Sequence, residues 1–144
     1  MLTKSIFLFV LLSFSATLAA KPSKNHKQQI DCLATAMYYE SRGEPDLGKK
    51  AVGHVIMNRV ESGKYPSDVC SVILQHKQFS FVKKKKVLTP PKNEVYNDIR
   101  DLAENIYHDK SKDPTNNALH FHATYVNPKW KKRAKIKIGN HIFW

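Results

Sequence analysis

The spacing of apolar residues changes along the chain, and this change most constrains the fold. Between residues 29 and 108, apolar side chains recur every three or four positions, as on one face of a helix. Near the C-terminus they alternate instead, with Ile136 and Ile138 on one side and lysines on the other. A chain in which the helices come first and a small antiparallel sheet comes last has the α+β pattern. We therefore predict a helical lobe followed by a small sheet lobe.

Four helices are predicted from the apolar stripes. They cover residues 29–41, about 45–60, a short segment capped by Ser67, and a last stretch from residue 89 to about 108. Gly43 and Pro45 interrupt the first stripe, because both residues disfavour a continuing helix. Leu47 belongs to the second stripe and Val95 to the fourth.

The predicted strands lie in the last quarter of the chain. Residues 118–123 form one candidate strand, and residues 134–138 and 141–144 form two more. Gly139 and Asn140 stand between the last two and are typical of a tight turn. These last two strands are therefore predicted to pair as a hairpin.

Residues 1–20 have the layout of a secretory signal peptide. Lys4 gives a positive start, residues 6–12 are continuously apolar, and small residues lead up to Ala19 and Ala20. We expect cleavage after Ala19 or Ala20. A retained membrane anchor is the alternative, but the apolar run is short for a spanning helix of about 20 residues.

Cleavage would leave a flexible leader over residues 21–28 and one domain over residues 29–144. The protein is then expected outside the cytoplasm, either secreted or periplasmic, with no stable membrane anchor. We expect it to be a monomer.

The chain is strongly basic. It has 24 Lys and Arg against 12 Asp and Glu, and loss of Lys4 would lower the net charge from +12 to +11. A basic exported protein is expected to meet an anionic partner, such as wall peptides, anionic lipid or nucleic acid. The alternative is that the lysines, including the run at residues 83–86, only form a solvated surface.

The cysteine count is informative because it is low. Two cysteines are too few for a disulfide-built miniprotein or a four-cysteine zinc site. Outside the cytoplasm Cys32 and Cys70 can oxidise, so a disulfide between them is predicted. Two buried free thiols are the alternative.

Glu40 is the candidate catalytic acid. It lies at the end of the first predicted helix, after Tyr38 and Tyr39 and just before the break at Gly43. A carboxyl group at such a place can project into a cleft. Desolvation by aromatic neighbours raises its pKa, as a general acid at neutral pH requires. A salt bridge or a solvated side chain is the alternative for a glutamate near a helix end.

Several blocks of sequence follow one another in a fixed order along residues 30–144. They are Tyr39-Glu40-Ser41-Arg42-Gly43-Glu44-Pro45, the helix that ends in Asn58-Arg59-Val60, Tyr65-Pro66-Ser67-Asp68-Val69-Cys70, Gln78-Phe79-Ser80-Phe81, Ala118-Leu119-His120-Phe121-His122, Tyr125-Val126-Asn127-Pro128 and Ile138-Gly139-Asn140-His141-Ile142-Phe143. Together these blocks resemble the SleB/CwlJ-type cell wall hydrolases, a family that includes spore-cortex-lytic enzymes.

The resemblance implies a lysozyme-like enzyme that cleaves the peptidoglycan glycan strand between N-acetylmuramic acid and N-acetylglucosamine without a cofactor. The family's catalytic glutamate falls on Glu40. A lytic transglycosylase needs one carboxyl group, because the muramyl 6-hydroxyl of the substrate is the nucleophile. A hydrolytic muramidase usually positions water with a second carboxylate. Asp31, Glu44 and Asp46 are near in sequence but none is compelling, so we favour transglycosylation.

A sugar-binding groove needs aromatic faces and fixed amides, and the matching blocks supply candidates for both. They are Tyr39, Gln78, Phe79, Ser80, Tyr125 and Asn140. Core packing is the alternative for each aromatic residue, and the hairpin turn is the alternative for Asn140. Asn58 and Arg59 end a helix, where a structural role is expected.

Two histidines, His120 and His122, are spaced to share one face of a strand. With His141 they offer three imidazoles that could hold zinc. No HExxH motif or acidic third ligand is evident, so no metal is predicted.

Two other function classes remain. A basic secreted protein could bind the wall without catalysis, and a secreted nuclease would use the same basicity. The nuclease lacks a recognisable metal-binding set, so no nucleic-acid partner is expected.

Overall fold

The computed structural model describes residues 25–75, 78–83, 86–87, 89–90, 92–128 and 136–144. Its elements in chain order are α1 (His26–Ser41), α2 (Asp46–Glu61), α3 (Val69–Ile73), β1 (Val82–Lys83), β2 (Lys86–Val87), α4 (Glu94–Tyr107), β3 (Phe121–Ala123), β4 (Ile136–Ile138) and β5 (His141–Phe143). The predicted α+β order of a helical lobe and then a small sheet is confirmed. The predicted signal peptide lies outside the described residues, as do residues 21–24 of the leader.

Helix α1 begins earlier than its apolar stripe indicates. It starts at His26, so the last residues of the predicted leader are helical. The His26 ring packs edge-on against Tyr107, with 5.6 Å between ring centroids, and stacks on His108. Lys27 also forms an ion pair with Asp31 one turn later. These contacts with the end of α4 and within the first turn extend the helix beyond its apolar stripe.

The helical core is built around α1. Helices α3 and α4 pack on it together with one face of α2, and their shared core is buried: Leu33, Ala34, Met37, Ile56, Val72, Ile73, Ile99, Ala103 and Ile106. Leu47 and Val95 were predicted on the apolar stripes but are 54% and 45% exposed. Both lie in the first turn of their helix.

The starts of α3 and α4 differ from the predicted ones because other residues cap them. Asp68, not Ser67, accepts the hydrogen bond from the backbone of Ser71 at 2.9 Å. Asn93 accepts the equivalent bond from Tyr96 at 2.9 Å. Helix α4 therefore starts at Glu94, a few residues later than expected.

The sheet lobe is a three-stranded antiparallel sheet in the order β3-β5-β4. Strands β4 and β5 pair as the predicted hairpin, with Ile138 opposite His141. The other face of α2, with Ala51, Val52 and Val55, packs on Phe143 and Ile138. Helix α2 therefore contacts both lobes.

A disulfide joins Cys32 on α1 to Cys70 on α3, with a Cα–Cα distance of 5.4 Å. It fixes the short helix α3 against the middle of α1. Among the helices of the described ranges, none is both long and apolar enough to cross a membrane.

Candidate active site

Glu40 is the next-to-last residue of α1. Burial of Tyr38 and Ser41 on either side fixes the end of the helix, and the Ser41 hydroxyl donates to the carbonyl of Met37 at 2.7 Å. The backbone N–H of Arg42 still donates to the carbonyl of Tyr38 at 3.2 Å, after which the chain turns toward α2. The half-buried Glu40 side chain is thus held by a rigid helix end rather than by a loop.

The Glu40 side chain lines a cavity of about 480 Å³, which we call the cleft. The end of α2, the segment around Phe79 and strands β3 and β5 supply its other walls. Its lining residues are Glu40, Arg59, Gln78, Phe79, His120, Phe121, His122, Ala123, Tyr125, Val126 and His141. The catalytic candidate therefore lies where the helical lobe meets the sheet lobe.

Two opposed effects act on the Glu40 carboxyl group. Burial disfavours its charged form and raises its pKa, while the positive charge of Arg59 acts in the opposite direction. Burial prevails, so the pKa of Glu40 lies above its usual value. A raised pKa keeps the proton available at a higher pH, which is the property that a general acid needs.

Arg59 is a buried cation in the wall of the cleft, only 5% exposed. Its Nε donates to the carbonyl oxygen of Leu119 at 2.8 Å, and its guanidinium lies over the rings of Tyr65 and Phe79. The structural role expected from the sequence is therefore present, but the position beside Glu40 was missed. A basic residue at a helix C-terminus already has an ordinary explanation in the helix dipole, so the sequence carried no separate signal for the cleft.

Asn58, the neighbour of Arg59, has the structural role that the sequence indicated. Its Nδ2 donates to Asp113 Oδ2 and to the carbonyl of Ala118, both at 3.1 Å. Asp113 in turn accepts from the backbone N–H groups of Thr115 and Asn117. This network attaches the segment before β3 to the end of α2, and so positions one wall of the cleft.

The three acids considered as a second carboxylate are all engaged elsewhere. Asp31 pairs with Lys27 and Arg100 at 2.9 and 2.8 Å. Asp46 is largely exposed and pairs with Lys49 at 3.0 Å. Among the described residues, Glu40 is the one carboxylic acid that lines the cleft.

Glu44 is bound to the turn between β4 and β5. Its Oε2 accepts from the backbone N–H of Asn140 at 2.9 Å, and its Oε1 accepts from Asn140 Nδ2 at 3.0 Å. The His141 Nδ1 atom lies 4.0 Å from Glu44 Oε1. Glu44 therefore connects the start of α2 to the sheet lobe.

The predicted substrate-binding residues divide into two sets. Gln78, Phe79 and Tyr125 line the cleft, and Tyr125 is 89% exposed there. Phe79 is mostly buried and contacts Phe81 in the core, with 5.3 Å between ring centroids. An exposed aromatic ring at a cleft rim offers an apolar face to a sugar, so Tyr125 is the strongest of these candidates.

The other three candidates lie outside the cleft lining. The Tyr39 hydroxyl donates to the carbonyl of Thr89 at 3.0 Å, and its ring stacks on Phe81. Ser80 is exposed next to Phe79 but does not line the cavity. Asn140 serves the turn by donating to Glu44.

The three histidines line the cleft, but His122 and His141 belong to opposite faces of the sheet. His141 pairs with Ala123 across the strands and His122 pairs with Ile142, so their side chains leave opposite sides. His120 stacks on Trp144 with 4.3 Å between ring centroids. Within the described residues, no group of three metal-ligating side chains converges.

A model of the Cell Wall Hydrolase family matches residues 43–144. Spore cortex-lytic enzymes are similar to the chain. The one from Bacillus cereus is 35% identical over 129 residues, which cover 85% of this chain and 46% of that protein. The one from Bacillus subtilis is 32% identical over 135 residues, which cover 89% and 41%. The chain thus spans less than half the length of these relatives.

Two solved structures share the fold. The catalytic domain of the Bacillus cereus SleB protein matches with a TM-score of 0.67 and 40% identity, covering 85% of this chain and 93% of that one. The catalytic domain of the germination-specific lytic transglycosylase SleB from Bacillus anthracis matches with a TM-score of 0.66 and 38% identity, covering 86% and 98%. With its α+β fold and the family match over residues 43–144, this chain belongs to the cell wall hydrolase family.

Proposed function

We propose that this chain is a lytic transglycosylase that cleaves peptidoglycan between N-acetylmuramic acid and N-acetylglucosamine, with Glu40 as general acid and base. The observation that carries the proposal is the single carboxyl group of the cleft. Glu40 is half-buried, and burial raises its pKa. Among the described residues that line the cleft, it is the one with a carboxyl group. One structural neighbour, the SleB protein from Bacillus anthracis, is a germination-specific lytic transglycosylase, which agrees with this reaction.

The reaction needs two proton transfers, one from Glu40 and one to it. Protonated Glu40 gives its proton to the glycosidic oxygen, and the bond between that oxygen and the muramyl C1 breaks with its electron pair going to the oxygen. The first proton stays on the leaving sugar as its new hydroxyl. The muramyl 6-hydroxyl then attacks C1, and the proton of that hydroxyl passes to the Glu40 carboxylate. The product is a 1,6-anhydro sugar, and Glu40 is again protonated for the next cycle.

Hydrolysis is the competing outcome at the same bond. An inverting hydrolase places its two carboxyl groups about 6.5–9.5 Å apart, and a retaining one places them about 5–5.5 Å apart. Glu44 is the nearest alternative in sequence, but it accepts two hydrogen bonds from Asn140 at the opposite lobe. The cleft therefore favours a nucleophile that the substrate itself supplies.

The place of action and the attachment to the wall belong to the same proposal. Residues 1–20 would direct export, and the mature protein would act on the wall outside the cytoplasm as a monomer. The basic residues of the chain, including the lysine run at residues 83–86, would bind anionic wall components. Reversing these four charges should reduce co-sedimentation with purified sacculi, and unchanged sedimentation would remove this part of the proposal.

Mass spectrometry of muropeptides tests the reaction. Sacculi digested with the protein should release fragments that end in 1,6-anhydromuramic acid. Reducing muramic acid ends would instead indicate a hydrolytic muramidase, and intact glycan with trimmed peptides would mean that a different bond is cleaved. Binding to sacculi without any released fragment would indicate a non-catalytic wall-binding protein.

A further inference from the structure

A buried positive charge faces the cleft without a paired carboxylate. Arg59 is 5% exposed, and within the described residues no carboxylate oxygen lies within 4.0 Å of it. The hydrogen bond from Nε to Leu119 and the rings of Tyr65 and Phe79 hold the guanidinium in place. Burying an unpaired cation is unfavourable, so a fold that retains one calls for a reason.

Glu40 supplies that reason only in one of its two protonation states. While Glu40 is protonated it is neutral, and Arg59 has no charged partner in the cleft. Once Glu40 has released its proton, the two opposite charges face the same cavity between protein walls, where their attraction is stronger than in bulk water. The interaction therefore forms when the reaction needs it, and the rigid clamp on Arg59 removes any need for rearrangement.

We propose that Arg59 is a positioning residue for the reaction, with its fixed guanidinium stabilising the Glu40 carboxylate that remains after the proton has passed to the leaving oxygen. This inference rests on the proposed function, because it assigns Arg59 a part in the same proton transfer. Electrostatic coupling between Arg59 and Glu40 supports it from both sides, since each charge stabilises the other.

Other titratable groups also face Glu40 and have to be separated from Arg59. In the described part of the cleft they are His120 just before β3, His122 in β3, Tyr125 in the following turn, and His141 in β5. Burial lowers the pKa of His141, which Glu44 opposes and His122 reinforces, so this imidazole is neutral at neutral pH. Arg59 is the cleft cation that keeps its charge over the whole working range.

The test uses two variants of the full chain, Arg59→Gln and Arg59→Lys, and follows the Glu40 carboxyl carbon by NMR through a pH titration without substrate. Arg59→Gln should move the Glu40 titration upward by about one pH unit, since an opposite charge nearby has been removed. Arg59→Lys retains a charge and should move it much less. The ring signals of the three histidines are followed in the same titration as internal controls.

Activity on sacculi gives the second readout. Loss of the Arg59 charge should lower kcat about tenfold on the acidic plateau of the pH profile. It should also move the alkaline limb of that profile to higher pH, by as much as the Glu40 titration moves. A purely structural role would lower kcat without moving either the limb or the Glu40 titration. An unmoved Glu40 titration in folded Arg59→Gln overturns the proposal.

A measurement on the unmodified Arg59 decides the matter if Arg59→Gln does not fold. In a pH titration of the wild type, the chemical shift of the Arg59 Nε–H should change with a midpoint at the pKa of Glu40. This change should be absent in Glu40→Gln. Persistence of the same shift in Glu40→Gln would overturn the inference. Because both titrations need no substrate, they remain decisive even if no glycan is cleaved, which would contradict the proposed function separately.

Discussion

Glu44 and Asn140 connect the start of α2 with the β4–β5 turn through two hydrogen bonds of 2.9 and 3.0 Å. The residue four positions before Glu44 is Glu40, and the residue after Asn140 is His141, and both line the cleft. This contact therefore fixes the two walls of the cleft relative to each other. The Glu44 side chain is only 8% exposed, so its charge is satisfied within the protein.

Replacing Glu44 with Gln should weaken this contact and change how stability depends on pH. Burial acts to raise the pKa of Glu44, but the hydrogen bonds from Asn140 prevail and hold it below its usual value. The stabilisation is therefore present above the unfolded pKa of about 4.3 and is lost as the pH falls through the lower folded value. We expect Glu44→Gln to be about 1–3 kcal/mol less stable at pH 7.

Urea denaturation at pH 7 and at pH 3 measures both effects. The difference between wild type and Glu44→Gln should shrink at the lower pH, because protonation then favours the unfolded chain and removes part of the stabilisation by the Glu44 charge. Glu61→Gln is the matched control, since Glu61 is an exposed residue at the end of α2. Equal losses at both pH values would contradict a role for the Glu44 charge.

Gly139 is required by the same contact. It has φ +58°, and a Cβ atom there would overlap Glu44 Oε2. Gly63 has a similar φ of +68° with no atom within 4 Å of the Cβ position, so it isolates the backbone effect. Gly63→Ala should cost about 1–2 kcal/mol from backbone strain alone.

Gly139→Ala should cost clearly more than Gly63→Ala, because it also displaces Glu44. Thermal unfolding of both variants beside the wild type measures the difference. Equal losses of stability would show that the close approach of Glu44 to the turn is unimportant.

The order of elements was predictable because it follows from the period of the apolar residues. The hairpin at Gly139 and Asn140 was predicted correctly, since a turn signal stood between two alternating segments. The helix starts were less predictable. His26 is helical through its packing on Tyr107, and α4 starts at the Asn93 cap, and neither depends on the apolar stripe.

The cleft was predictable only in part, because one block of sequence contains both lining and supporting residues. Tyr39 and Glu40 are adjacent, yet Glu40 opens into the cleft while the Tyr39 hydroxyl bonds to Thr89. Arg59 was assigned to structure alone, because its place beside Glu40 in the cleft lining depends on how α2 packs against α1. Such differences arise from packing between elements that the local sequence does not encode.

Tyr125 should contribute to substrate binding more than to the chemical step. Its exposed ring at the cleft rim offers a face for sugar packing. We take the scale of this contact from aromatic ring pairs, which contribute about 0.5–1.5 kcal/mol. Tyr125→Ala should therefore raise the half-saturating concentration of a soluble glycan up to about tenfold, with a smaller effect on kcat. Steady-state kinetics with Tyr39→Phe as the control should show no such change for Tyr39. An unchanged half-saturating concentration in Tyr125→Ala would exclude a contact with the glycan.

The proton held by Glu40 is the centre of the account, and Glu40→Gln tests it most directly. This variant retains the size and the burial of the side chain but has no proton of suitable acidity to donate. Sacculi treated with wild type and with Glu61→Gln should yield muropeptides with 1,6-anhydromuramic ends, whereas folded Glu40→Gln should bind sacculi and yield at least a thousandfold fewer, near the upper part of the range for general acid catalysis. Release of the same products by Glu40→Gln at a comparable rate would contradict the assignment of Glu40 as the catalytic acid.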